Sequence, residues 1–399
     1  MIWSSVKIEK LCSKVVSGGT PSTKKDDYYG GDIPWLRTQE VNFVPIDRTE
    51  LTISELGLKN SSAKWVPANT VIVAMYGATA GRSAITKIPL TTNQACCNLI
   101  VNPDVADYRF LYYSLVFHFK ELESLAHGSA QTNLSLGVIK AFEISCPILS
   151  TQTQIAQILS AYDDLIENNR RRIALLEEAA RKLYKEWFVK RRFPGWESVP
   201  VGGDGLLQGW SNIRLDEVAD ITMGQSPESS SYNPDGDGLP FHQGVTGFGT
   251  RFPTNEKWCT AGTRFADEGD ILFSVRAPVG RINVSLERIV IGRGLSAMRS
   301  KHGMHHWLLY ALSNHFSEED MIGVGCIFAA TTKKELFGVK MLYPGDALAR
   351  TFDETVAPFD AQIKDLSLQN RLLAQSRDKL LPKLMSGELS VENIALPTA

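Results

Sequence analysis

The chain has 399 residues, 43% of them hydrophobic and 22% charged, with a formal net charge of −2, the profile of an ordinary folded protein of two or three domains. No apolar run approaches the ~20 residues of a membrane span, and Met1-Ile2-Trp3-Ser4-Ser5-Val6-Lys7 lacks the parts of a signal peptide, so a cytoplasmic protein is expected. No half of the chain is a basic arm, and with a net charge of −2 any nucleic-acid affinity must come from local patches or from a partner.

In chain order, residues 1–150 read as a mixed α/β module. The β-branched run Thr70-Val71-Ile72-Val73-Ala74 reads as a strand, and residues 107–123 have the spacing of a single amphipathic helix. Polar loops punctuate the module: Gly18-Gly19-Thr20-Pro21-Ser22, Trp35-Leu36-Arg37-Thr38-Gln39, the stretch from Tyr76 through Thr79 to Arg82, Thr91-Thr92-Asn93-Gln94, and Gly128-Ser129-Ala130-Gln131-Thr132-Asn133. Arg, Asn and Gln can make paired hydrogen bonds to base edges, while Ser and Thr suit phosphates and thymine methyls. Glycine lets a backbone approach closely. The candidate DNA contacts here are Gly18, Thr20, Ser22, Trp35, Arg37, Thr38, Gln39, Tyr76, Thr79, Arg82, Asn93, Gln94, Gln131 and Asn133. Polar turns on any α/β domain look similar, so no single loop decides.

Residues 151–192 carry a long helix. Its seam positions Ile155, Leu159, Tyr162, Ile166, Asn169, Ile173, Leu176, Ala180, Leu183 and Trp187 alternate steps of four and three, a coiled-coil pattern. From Ile155 to Trp187 such a helix spans ~48 Å. Residues 193–209, with Phe193-Pro194-Gly195-Trp196 and Pro200-Val201-Gly202-Gly203-Asp204-Gly205, read as a linker.

A second module follows over 210–345, with a strand at Asp270–Val275 and an amphipathic helix at 304–319. Its loops are Gly224-Gln225-Ser226, Phe241-His242-Gln243-Gly244, Arg276-Ala277-Pro278-Val279-Gly280-Arg281 and Gly292-Arg293-Gly294. The candidate contacts are Gln225, Ser226, His242, Gln243, Arg276, Arg281 and Arg293. From Arg264 to Arg299 the module uses arginine and no lysine, a bias toward geometric recognition of guanine or phosphate. Residues 346–399 hold a second long helix and a tail, with the seam Phe352, Val356, Phe359, Ile363, Leu366, Asn370, Leu373, Arg377, Leu380 and Leu384. Pro382 predicts a break or kink one turn before its end. Each seam carries one Asn, Asn169 and Asn370, which fixes register if buried or else marks a wet helix end.

The two halves repeat each other. Pro147 and Pro344 lie 197 positions apart, and the same offset maps Tyr162-Asp163 onto Phe359-Asp360 and Leu183 onto Leu380. Upstream the offset drifts, as where Gly18-x-Thr20-Pro21 meets Gly224-x-Ser226-Pro227. Each half is thus a variable module followed by a helix of fixed register. Two such helices most simply pack on each other as a spacer between the modules.

Catalytic patterns are missing. There is no phosphate-binding G-x-x-x-x-G-K-[ST], no G-x-S-x-G and no H-E-x-x-H. Asn102-Pro103-Asp104 and Asn233-Pro234-Asp235 lack the second proline and aromatic of an amino-methyltransferase motif. The cluster His302-x-x-His305-His306 opens a helix on which His305 and His306 diverge by ~100°, so a capping or solvated role is expected over a metal site. The six cysteines, Cys12, Cys96, Cys97, Cys146, Cys259 and Cys326, form no C-x-x-C pair.

These residues resemble the DNA-specificity subunits of type I restriction–modification systems. The resemblance spans essentially the whole chain. It rests on V-S-G-G-T-P-S (16–22), I-P-W-L-R-T-Q-E-V (33–41), G-A-T-A-G-R (77–82), T-N-Q-A (92–95), Q-T-N-L-S (131–135) and P-I-L-S-T-Q-T-Q-I-A (147–156). In the second half it rests on M-G-Q-S-P (223–227), G-D-I-L-F-S-V-R-A-P-V-G (269–280), I-G-R-G-L (291–295) and K-L-M-S-G-E-L (383–389). It implies two target-recognition domains of α/β fold, each reading half of a split double-stranded DNA site, separated by two long antiparallel helices. It implies a non-catalytic chain with no cofactor of its own. Two methylation subunits would bring S-adenosylmethionine for adenine methylation, and two restriction subunits would bring ATP and Mg for translocation and cleavage. The chain departs from the family's usual double proline and acidic-Gln pair before the long helices: Pro147 is followed by Ile148, and Pro344 by Gly345-Asp346. A duplicated coiled-coil scaffold that binds protein and shows no DNA sequence preference is the alternative.

Overall fold

The structure, a computed structural model, describes residues 3–127, 134–316, 331–391 and 394. It divides into two compact units, Met1–Glu167 with Asn370–Ala399, and Asn168–Gln369. Both boundaries fall inside long helices, so each unit joins a module to the start of one helix and the end of the other.

In the first unit, the strands Cys12–Ser17, Cys96–Val101, Val71–Ala74 and Ser83–Ile85 form an antiparallel sheet in that order. A second sheet holds Leu51–Ile53, Tyr29–Leu36, Leu90–Thr92 and Trp65–Val66, with Tyr29–Leu36 parallel to Leu90–Thr92. The expected strand at 70–74 is present as Val71–Ala74, buried throughout. Its alternating side chains feed two cores. Val71 and Val73 pack on the helical side with Cys97, Leu99, Phe110 and Leu111, whereas Ile72 and Ala74 pack with Leu36, Val66 and Leu90 of the second sheet.

The second unit repeats this plan. Ala219–Met223, Leu295–Ser300, Ile271–Ser274 and Ile282–Val284 form the first sheet. The second is Tyr232–Asn233, Trp258–Cys259, Leu239–His242, Ile289–Ile291 and Phe265–Ala266, again with one parallel pair, Leu239–His242 with Ile289–Ile291. Ile271 and Phe273 face the helices, and Leu272 faces the second sheet. A mixed α/β duplication is therefore the fold.

Two expectations need correction. The segment 107–123 is two helices, Tyr108–Phe117 and Phe119–His127. His118 leaves the helical path at φ −88°, ψ 13°, where it caps the first helix through its N–H to the Ser114 carbonyl; its own carbonyl then receives the N–H groups of Glu121 and Leu122. The turn lets Phe119 set its ring edge-on against Phe43. In the second module the helix is His305–His315, and the expected end at 319 lies outside the described residues.

Pro382 does not break the second long helix, which runs unbroken over Asp346–Met385 and through Pro358 as well. Both prolines lie on the exposed face, as do Asp378 and Glu354 four residues earlier. Water can therefore reach the carbonyls that lose their N–H partners. The first long helix, Leu149–Tyr184, instead widens its path into a π-helical turn at Lys185–Val189, which buries Trp187 and Phe188 side by side.

The seams are buried or half-buried along their length. In the first unit Ile155, Leu159, Ile166 and Leu384 are buried, with Tyr162, Asn370, Leu373 and Leu380 half-buried. In the second, Asn169, Ala180, Trp187, Phe352, Val356, Ile363 and Leu366 are buried, with Ile173, Leu176, Leu183 and Phe359 half-buried. There the Asn169 Nδ2 donates to Gln369 Oε1 at 2.9 Å, while Tyr184 and Trp187 set their rings against Phe352. The helices are thus antiparallel, and Asn169 is a satisfied register-setting residue.

The fixed offset carries a Tyr–Asp pair into both units. Tyr113 donates to Asp163 at 2.5 Å, and Tyr310, 197 positions later, donates to Asp360 at 2.8 Å. Each tyrosine lies on a module helix and each aspartate on a long helix. The cation differs: Arg377 pairs with Asp163, whereas Arg251 and His306 pair with Asp360. His306 is thereby an anchor, and His305 Nδ1 accepts from the Ser300 N–H at 3.4 Å. Among the described residues no group of three or more His, Cys, Asp or Glu could hold a metal ion.

Candidate nucleic-acid interface

The first module's polar loops leave the C-terminal ends of Cys12–Ser17, Tyr29–Leu36, Val71–Ala74 and Leu90–Thr92, and short bonds gather them into one edge. The Gly19 N–H donates to Thr92 O at 2.8 Å, the Asn93 N–H to Leu36 O at 2.9 Å, and the Met75 N–H to Ala95 O at 2.8 Å. Thr20 Oγ1 bonds to Gln94 Oε1, and Thr79 Oγ1 donates to Thr38 O at 2.8 Å. The Leu134 N–H donates to Met75 O at 3.0 Å, and the candidates that precede it in sequence are Gln131 and Asn133. Those two candidates lie outside the described residues.

Gly18 is required by this closeness: a Cβ there would sit 2.0 Å from the Thr92 carbonyl oxygen. Ser22, Gln39, Tyr76 and Gln94 are exposed, and Thr20, Arg37, Thr38, Thr79, Arg82 and Asn93 are half-buried. Trp35 is not on the surface. It is 4% exposed, and its indole N–H donates to Gly19 O at 3.0 Å, so it supports the loop from beneath.

The arginines of this edge are committed. Arg37 pairs with Glu50 and, at 3.8 Å, with Glu40, and Gln39 Nε2 reaches Glu50 at 3.4 Å. Arg82 donates to Asn42 Oδ1 at 2.6 Å. Glu50 and Asn42 were absent from the candidate set, since nothing at their sequence positions marks them as partners of residues in other loops. A segment over 62–65 also joins the edge: a Cβ on Gly19 would sit 2.3 Å from the Ser62 carbonyl carbon.

The second module rebuilds the same frame. The Gln225 N–H donates to Ile291 O at 3.0 Å, the Gly292 N–H to His242 O at 2.8 Å, and the Val275 N–H to Gly294 O at 2.9 Å. These match the three backbone bonds above one for one, which aligns Gln94 with Arg293 and Tyr76 with Arg276. Ser226 Oγ donates to Gln243 Oε1 at 2.8 Å and accepts from the Arg293 N–H at 3.2 Å. Gln225, Gln243, Arg276, Arg281 and Arg293 are exposed, and Ser226 is half-buried.

His242 is 4% exposed, and its Nε2 meets Asn255 Oδ1 at 3.0 Å. Burial holds its imidazole below the ordinary value despite that bond, so it is a neutral supporting residue. The arginine bias also divides by role. Arg299 is bound to Asp270 at 2.7 Å, and Arg288 lies over the Phe265 ring at 4.7 Å. Arg276, Arg281 and Arg293 stand on the loop edge. The edge is therefore an array of amide, hydroxyl and guanidinium groups on a rigid backbone frame. Such an array can read hydrogen-bond patterns.

Comparison with known proteins agrees with this reading. The family model described as the type I restriction modification DNA specificity domain matches residues 2–178. A Methanocaldococcus jannaschii protein named as the MjaX specificity subunit is 30% identical over 74% of this chain and 71% of its own length. The MjaIX specificity subunit of the same organism is 28% identical over 98% of this chain and 94% of its own. The crystal structure of a type I restriction–modification system S subunit from M. genitalium shares the fold, with a TM-score of 0.61 at 18% identity over 96% of each chain.

Proposed function

Because this chain belongs to the DNA-specificity subunits of type I restriction–modification systems, we propose that each of its modules reads one half of a split double-stranded DNA site through its loop edge. The chain is the non-catalytic recognition subunit of such a system. The observation that supports a split site is one backbone frame, closed by the same three backbone bonds, carrying different readers: Tyr76 and Gln94 in one module, Arg276 and Arg293 in the other. Position is set by the shared frame and sequence preference by the side chains on it.

The two long helices fix the gap between the half-sites. Assembly with other subunits of the system follows from the family. The internal repeat suits two copies of one methylation subunit, since duplicated surfaces bind identical partners by approximate symmetry. Two restriction subunits complete the cleaving complex. S-adenosylmethionine would reside on the methylation subunits, with ATP and Mg on the restriction subunits. No helix among the described residues is long and apolar enough to cross a membrane, and the cytoplasm, where host DNA lies, is the proposed location.

The test is a base-resolution adenine-methylation map of host DNA with this gene present and deleted beside an intact methylation partner. Loss of one split motif on deletion is the expected result. An unchanged map, with the partner expressed and active, would favour the scaffold reading.

A further inference from the structure

The edge of the first module holds an aromatic residue that the loop motifs did not contain. Trp65 opens the outermost strand of the second sheet, Trp65–Val66, and pairs with Thr91. Thr91 leads directly into Asn93 and Gln94, so Trp65 lies at the end of the sheet from which the recognition loops emerge. The residues before it pass against Gly19, whose Cβ would fall 2.4 Å from the Ala63 nitrogen. Trp65 is 49% exposed, and its neighbours Ser62 and Lys64 are exposed too. An indole exposed to this extent gives up about half of the burial that normally holds a tryptophan in a fold.

The second module shows what the same position looks like when the ring is structural. Phe265–Ala266 pairs with Val290 and Ile289 in the register that Trp65–Val66 keeps with Thr91 and Leu90. There the ring is half-buried and roofed by the Arg288 guanidinium at 4.7 Å, which Asp267 holds at 3.6 Å. Among the described residues Trp65 has no such roof. The first module also has its arginines engaged, Arg37 by Glu50 and Arg82 by Asn42, whereas the second presents Arg276 and Arg293. Where one edge offers guanidinium forks, the other offers a bare ring beside a lysine.

We propose that Trp65 is a DNA-contacting residue of the first module: its indole lies against the sugar and base edge of that half-site, and Lys64 takes the adjoining phosphate. The inference rests on the family's DNA reading and adds a contact to it. An aromatic face suits this task because the deoxyribose of every nucleotide in a duplex presents an apolar C–H surface to it. A lysine beside it supplies a point charge without demanding fixed geometry.

The test uses the full chain assembled with its methylation subunits, comparing wild type with Trp65→Ala, Trp65→Phe and Lys64→Ala. Affinity is measured on the cognate duplex and on duplexes with either half-site scrambled. Trp65→Ala is expected to weaken cognate binding about 10-fold, with Trp65→Phe recovering most of it. Lys64→Ala should flatten the salt dependence by about one unit of slope. Preference for the second half-site should stay intact. Wild-type affinity in Trp65→Ala would overturn the proposal. So would loss of assembly with the methylation subunit at unchanged melting temperature, since the ring would then seat a protein. If wild type itself ignored both scrambled half-sites, the DNA reading would fail first, and that outcome is visible without any variant.

Discussion

Replacing Asp360 by Asn tests how the second long helix is tied to its module. Asp360 is 8% exposed and accepts from Arg251 Nη2, from Tyr310 at 2.8 Å and from His306 Nδ1 at 2.7 Å. The amide keeps the shape and can still accept from Tyr310, but it removes the negative charge that Arg251 is paired with. That arginine side chain is 11% exposed, and its Nε is already buried without a partner. Stranding one member of a buried pair costs ~3–5 kcal/mol. The surviving amide oxygen places this variant near the lower end, about 3 kcal/mol.

Urea unfolding followed by tryptophan fluorescence reports it, because Trp307 is 1% exposed and its backbone N–H donates to Asp353 beside this cluster at 3.0 Å. The pH dependence gives a second reading. Burial alone would lower His306, but its bond to Asp360 and the charges of Asp360 and Asp353 outweigh burial and the opposing Arg251, leaving the imidazole above its ordinary value. Its stabilisation is therefore complete below about pH 6.5 and is lost as pH rises through the raised folded value. Asp360 runs the other way. Burial raises it, yet His306, Arg251 and Tyr310 together bring it below the ordinary carboxylate value, so its contribution is lost only in acid. Asp360→Asn should remove the alkaline loss contributed by His306. A variant within about 1 kcal/mol of wild type, with an unchanged slope above neutral pH, would refute the account.

Gly18→Ala should collapse the first edge, because the new methyl would meet backbone at 2.0 Å; binding to the first half-site alone should fall at least 10-fold on a fluorescence-anisotropy titration, about the cost of 1.4 kcal/mol. Arg276→Ala should relax base preference only in the half-site read by the second module, at ~1–3 kcal/mol. A uniform loss across all sequences in a binding-site selection would mean that Arg276 holds a phosphate. Adding one four-residue turn to the first long helix lengthens it by ~6 Å and should change the gap between half-sites while leaving their sequences intact. A methylation map with an unaltered gap would sink the spacer idea.

The duplicated plan and the two seams were legible because a fixed offset and a four–three spacing survive without knowledge of distant contacts. The loop edge was legible for the same reason, since strand ends rich in Gly, Thr, Asn and Arg recur at matched places. What a residue does within such a loop was not. Trp35 and His242 sit in the motifs yet face inward, while Trp65 sits outside them and faces solvent, because burial there depends on which strand of the second sheet is outermost. Arg37 is occupied by Glu50, thirteen positions away, and no periodicity links the two. Pro382 misled for a local reason: a proline's penalty depends on whether the orphaned carbonyl meets water, and sequence alone does not say which face it takes.

The way helix ends are shared between units also bears on the order in which the protein can be made. Leu381, Leu384 and Met385 sit in the same core as Ile8, Phe110 and Leu159, so a nascent first module lacks one wall until residues 381–385 have left the ribosome. At ~5–20 residues per second, translating the second module and its helix takes on the order of 10–40 s. Throughout that interval an apolar face stays open, a natural substrate for a holding chaperone. In its absence, the matching helix end of a neighbouring nascent copy could fill the gap and leave two chains interlocked.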